Sequence, residues 1–137
     1  MHPVLMAEHF IKKADFFSIG TNDLTQYVLS MDRGHQGLAK KADALHPAVL
    51  KMIKMTCDAA KKENKWVGVC GNLAANPLAA KILTGLGVSE LSVTSTSVAS
   101  IKAILRNTSL DECKDLASKV LMMQTSDEVR ALEDIKG

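Results

Sequence analysis

Three short apolar runs, each followed by a helix-like stretch, constrain this chain more than any other feature. They are Asp15-Phe16-Phe17-Ser18-Ile19, Trp66-Val67-Gly68-Val69-Cys70 and Glu90-Leu91-Ser92-Val93. Runs of this length, bounded by glycine and polar residues, read as buried strands. Between the first two, His46-Pro47 opens a helix on which Val49, Leu50, Ile53, Cys57 and Ala60 share one face. Between the last two, Asn76 is a helix cap with Pro77 at the first helical position, and Leu78, Ile82, Leu83 and Leu86 follow. Strands separated by helices pair in parallel rather than as hairpins, so the fold class is α/β.

The remaining segments are helical. Pro3 to Lys13 opens the chain as a helix. Gly20-Thr21-Asn22-Asp23 supplies turn and cap residues for a short helix over Leu24 to Met31, stopped near Gly34. A helix over Ser97 to Arg106 follows the third strand. Ser109-Leu110-Asp111-Glu112 and Thr125-Ser126-Asp127-Glu128 both fit the capping box, so two helices close the chain. No repeat, linker or low-complexity stretch divides residues 1–137, which read as one unit. At 137 residues the chain is shorter than the roughly 250 of a complete eight-stranded β/α barrel. The expectation is a small open sheet, or part of such a barrel, with three parallel strands.

Composition excludes several functions. The 17 basic residues meet 15 acidic ones, and with five aromatic residues there is no basic, aromatic surface for stacking bases, so no nucleic-acid partner is expected. No apolar run reaches the ~18 residues of a membrane span, and the N-terminus lacks the order of a signal peptide. Three widely spaced cysteines form neither a zinc pattern nor a disulfide framework, which suits a reducing, cytoplasmic setting. There is no Walker loop, G-x-G-x-x-G or G-x-S-x-G, and the four histidines show no metal spacing.

Chemistry in α/β folds collects at the carboxyl ends of strands. Three clusters fall there: Gly20-Thr21-Asn22-Asp23, Cys70-Gly71-Asn72 and Thr94-Ser95-Thr96-Ser97. Asp23 is a hard oxygen ligand of the kind Mg²⁺ takes, and Asn22 can give or accept hydrogen bonds; both could equally be helix caps. Arg33 could grip a phosphate or carboxylate with its two-pronged guanidinium, or form a surface ion pair. Cys70, at a strand end before a glycine, is either an exposed thiol or a structural cysteine. Cys57 and Cys113 lie on helix faces and read as structural.

The string from Asp15 to Tyr27, DFFSIGTNDLTQY, resembles the signature of the phosphoenolpyruvate-utilising enzymes. Its continuation through Met31-Asp32-Arg33-Gly34 is similar to the phosphoenolpyruvate–protein phosphotransferases, the Enzyme I family of the bacterial sugar phosphotransferase system. Leu45-His46-Pro47-Ala48-Val49-Leu50, Gly68-Val69-Cys70-Gly71 and Leu86 to Ser92 fit in the same order. The resemblance implies the last three strands of a TIM-type β/α barrel domain that binds phosphoenolpyruvate and Mg²⁺ and forms a homo-oligomer. It implies Asp23 as a magnesium ligand, Asn22 and Arg33 on the substrate, and Cys70 as the proton donor when pyruvate forms. It also implies transfer through a histidine to a phosphocarrier protein. The family's second metal-binding carboxylate has no counterpart in this sequence, and Asn72 stands where the family has glutamate. The expectation is therefore a fragment of such a phosphotransferase, inactive alone. The alternatives are a fragment of a pyruvate phosphate dikinase or phosphoenolpyruvate synthase, or a non-catalytic oligomerisation module.

Overall fold

The computed structural model describes residues 6–30 and 43–134. Their elements run α1 (Ala7–Phe10), β1 (Phe16–Gly20), α2 (Thr21–Ser30), α3 (Pro47–Lys62), β2 (Trp66–Cys70), a 3₁₀ turn (Asn72–Ala75), α4 (Pro77–Leu86), β3 (Glu90–Ser92), α5 (Ser95–Arg106), α6 (Leu110–Leu121) and α7 (Ser126–Asp134). The three strands form one parallel sheet in the order β1-β2-β3. This is the expected α/β architecture, consistent with part of a β/α barrel.

Strand alternation gives the sheet two different faces. Ile19, Val67 and Val69 are buried on one, where they join a core with Val49, Leu50 and Ile53 of α3 and Ile82, Leu83 and Leu86 of α4. Each such side chain, fully buried, contributes roughly 1.5–3 kcal/mol. On the other face Phe16, Ser18, Trp66, Glu90 and Ser92 are exposed. Phe16 pairs with Trp66 across the ladder, and their rings stack with centroids 4.3 Å apart and planes 6° from parallel.

Local chemistry sets the helix ends. His46 Nδ1 accepts the Ala48 amide at 3.1 Å, and Pro47 follows at the first helical position of α3. Asn76 Oδ1 accepts the Ala79 amide at 3.0 Å, again ahead of a proline. Gly87, in the left-handed region at φ 109°, ends α4, where L side chains rarely fit. Ser109 and Glu112 form the full capping box of α6. At α7 the Thr125 hydroxyl accepts the Glu128 amide at 3.2 Å and reaches the Glu128 carboxylate.

Several bounds differ from expectation. Within the described residues α1 spans only Ala7–Phe10, and Pro3 to Leu5 lie outside them. The first strand is shifted by one residue, to Phe16–Gly20, and the third ends at Ser92. Thr21, Asn22 and Asp23 are not a turn ahead of a helix at Leu24; they are the first turn of α2, entered straight from β1. The helix after the third strand begins at Ser95 rather than Ser97.

Among the described residues, ion pairs tie distant segments, Lys62 of α3 to Glu8 of α1 at 2.7 Å and Arg130 to Asp43. Arg130 of α7 donates from Nε and Nη2 to the two carboxylate oxygens of Asp43, at 2.5 and 2.8 Å. Burial opposes the charge on Asp43. The hydrogen bonds from Arg130 and the Leu45 amide, with the guanidinium charge, outweigh it and hold the carboxyl below its ordinary range. The spacing of 87 residues gives no periodic signal of this contact.

Candidate functional site

The carboxyl ends of β1 and β2 meet in register, because Gly20 is the ladder partner of Cys70. β1 runs into α2 without a loop. The first turn of α2 therefore sits at the strand ends with backbone amides unclaimed by the helix, a setting that favours anions. Asn22 and Asp23 are both exposed on that turn. A methyl group built on Gly20 would lie 3.6 Å from Asp23 Oδ2, so the carboxylate leans over the end of β1. One built on Gly71 would lie 3.3 Å from Asn22 Oδ1, so the amide approaches the end of β2.

Cys70 is half-buried and ends β2. Its Sγ donates a weak hydrogen bond to the Ile19 carbonyl at 3.6 Å. Its own carbonyl accepts from Thr21 Oγ1 at 3.1 Å. Thr21 is fully buried, and its carbonyl accepts from the buried Thr25 hydroxyl at 2.6 Å. Gly71 follows at φ 115°, and the exposed Asn72 starts the 3₁₀ turn. The other two cysteines are buried, and none of the three is in a disulfide. Burial, with a smaller effect from Asp58, pushes the Cys57 thiol up to about 12.

Asn22, Asp23 and Cys70 are thus brought to one end of the sheet. Arg33 lies outside the described residues. The third polar cluster closes on itself: Thr94 Oγ1 lies 3.2 Å from both Thr96 Oγ1 and Ser97 Oγ. Among the described residues no group of three His, Cys, Asp or Glu side chains is placed to hold a metal. Asp23 offers Mg²⁺ one oxygen ligand, which does not amount to an enclosed metal site. A groove of about 580 Å³, lined by Glu8, His9, Asp58 and Lys62 among others, lies at α1 and α3, away from these groups. Thr21 and Gly71 fall within the clusters expected at the strand ends, but their residue types assign neither of them a role. A buried threonine at the start of α2 facing the glycine that follows β2 leaves no mark in spacing.

An α/β domain with an amide, a carboxylate and a thiol at adjoining strand ends carries its polar groups where folds of this class bind their ligands. Residues 2–110 match the family described as PEP-utilising enzyme, PEP-binding domain, and the chain belongs to that family. It is similar to multiphosphoryl transfer proteins of Xanthomonas campestris (54% identical over 127 residues, 93% of this chain and 15% of the relative) and Rhodobacter capsulatus (55% over 130 residues, 95% and 16%). It is also similar to the phosphoenolpyruvate-protein phosphotransferase of Haemophilus influenzae, 43% identical over 126 residues, 92% of this chain and 22% of the relative. The chain thus spans between 15% and 22% of the length of these relatives. No helix among the described residues is long and apolar enough to cross a membrane.

Proposed function

We propose that residues 1–137 are the carboxyl-terminal part of a phosphoenolpyruvate-binding β/α barrel domain. The protein built on it moves the phosphoryl group of phosphoenolpyruvate to one of its histidines. From there the group passes to a phosphocarrier protein for sugar uptake in the cytoplasm. The observation that carries this reading is the pairing of Gly20 with Cys70, which sets Asn22 and Asp23 beside the thiol-bearing strand end. The names of the relatives favour a phosphotransferase over a dikinase or synthase.

Each residue has a chemical role in this reading. The Asn22 amide binds substrate oxygens. Asp23 supplies one carboxylate to Mg²⁺, which when bound neutralises phosphate charge. Arg33 grips the phosphate. Cys70 holds a proton on Sγ and delivers it to the enolate carbon, which becomes the methyl group of pyruvate; the thiolate left behind takes a proton from solvent. Positioning and charge neutralisation dominate phosphoryl transfer, so a partial set of ligands has little activity alone. A homo-oligomer completes the reading.

The test is phosphoryl transfer by a protein carrying this segment, given phosphoenolpyruvate labelled in its phosphate and no nucleotide. Label is expected on a histidine and then on the phosphocarrier protein. Labelling only with ATP present identifies a dikinase or synthase instead. Turnover unchanged by Asp23→Ala and Cys70→Ala makes the segment a non-catalytic oligomerisation module. Calorimetric binding of phosphoenolpyruvate with Mg²⁺ to the 137 residues at micromolar affinity refutes the partial-site reading.

A further inference from the structure

The geometry points to Thr21 as a positioning residue that sets the Cys70 thiol relative to Asn22 and Asp23, an inference that rests on the proton-donor role proposed for Cys70. Three hydrogen bonds converge on the junction. Thr25 Oγ1 donates to the Thr21 carbonyl, Thr21 Oγ1 donates to the Cys70 carbonyl, and Cys70 Sγ donates to the Ile19 carbonyl. Cys70 is the last residue of β2, where the sheet ladder stops constraining the chain. Thr21 takes over there from the other strand end, and it does so from full burial.

The next two residues along α2 are Asn22 and Asp23, so one residue fixes both halves of the site. Its backbone carries the polar pair, and its hydroxyl carries the strand end that bears the thiol. Gly71 leaves the space this needs. A methyl group there would come within 2.5 Å of Thr21 Oγ1, and the φ of 115° disfavours any side chain. The hydroxyl is the operative group. Valine has nearly the shape of threonine but cannot donate, whereas serine keeps the donor and loses only a methyl.

The test is cysteine-resolved alkylation of the folded 137-residue chain by iodoacetamide at one pH, read by mass spectrometry, with circular dichroism as the check on folding. Cys57 and Cys113, both buried, report general opening. In Thr21→Val, Cys70 is expected to react faster by about fivefold or more, the order set by losing one hydrogen bond to a part-buried carbonyl. Cys57 and Cys113 keep their rates, and Thr21→Ser restores Cys70 to within about twofold of the parent rate. If Thr21→Val does not fold, Gly71→Ala, which presses on the same hydroxyl, is read by the same criteria. A Cys70 rate unmoved by these changes overturns the inference. So does a rise shared by all three cysteines, or a failure of serine to restore the rate. Alkylation uses no phosphoenolpyruvate, so its outcome stands apart from the transfer assay that tests the function.

Discussion

Gly85 sits inside α4, where helix propensity alone makes alanine better by about 1 kcal/mol. The packing reverses that sign. A methyl group at Gly85 would run into the backbone carbonyl of Cys113 in α6, and would stand 2.9 Å from the Lys114 nitrogen. Carbon atoms need roughly 3.5–4 Å of separation, and backbone cannot rotate aside as a side chain can. The two helices must part, which loosens the core around Ile82, Leu86, Ala117 and Val120. Overpacking costs typically 1–3 kcal/mol and sometimes more; a backbone obstacle puts Gly85→Ala at or above the top of that range, about 3–4 kcal/mol. Less the propensity gain, the net loss is about 2–3 kcal/mol. For a chain of this size that lowers Tm by roughly 10 °C. Thermal unfolding by circular dichroism at 222 nm is the assay. A Tm unchanged or raised would refute the close approach of α4 to α6.

Three further outcomes follow from the same reasoning. Cys57, with its thiol raised from the ordinary 9.0 to about 12, should resist alkylation at pH 8, and raising the pH between those two values should destabilise the fold, because only the unfolded thiol ionises freely there. The contribution is fully present below the unfolded value and lost as pH rises through the folded one. Asp43→Asn should cost about 1 kcal/mol by urea unfolding at neutral pH, discounted for the exposure of Arg130; since the folded carboxyl titrates below its ordinary range, the difference should persist above that range and vanish only as the pH falls beneath it, through the lower folded value. Ser109→Ala removes an N-cap and should cost about 1 kcal/mol, measured the same way, with Ser109→Asp close to the parent.

What the sequence discloses here follows the range of the forces involved. β2 is legible to the residue, since Trp66 to Cys70 is an apolar run between polar flanks. The caps at His46, Asn76 and Ser109 are legible because a cap acts within three residues. Asn22 and Asp23 are found by type and place, yet their local role is misread. As polar residues after a glycine they suggest a turn, but β1 passes directly into α2 and puts them on the helix. The contacts that hold the site are long-range. Thr21 reaches Cys70 across 49 residues, and the Gly85 approach to α6 depends on how two helices cross. Neither leaves a periodic trace, so the placing of Asn22, Asp23 and Cys70 at strand ends is legible in the sequence and the contacts that fix them there are not.

The stacked Phe16 and Trp66 rings lie on the face of the sheet that the helices among the described residues leave open. Trp66 is the single tryptophan of the chain. Indole emission moves with the polarity around it, so this fold carries a native optical gauge on its uncovered side. Whatever comes to lie over that face must strip water from the indole or break the stack. Either event is readable by fluorescence without a label, and the buried core contributes no second tryptophan to blur the signal.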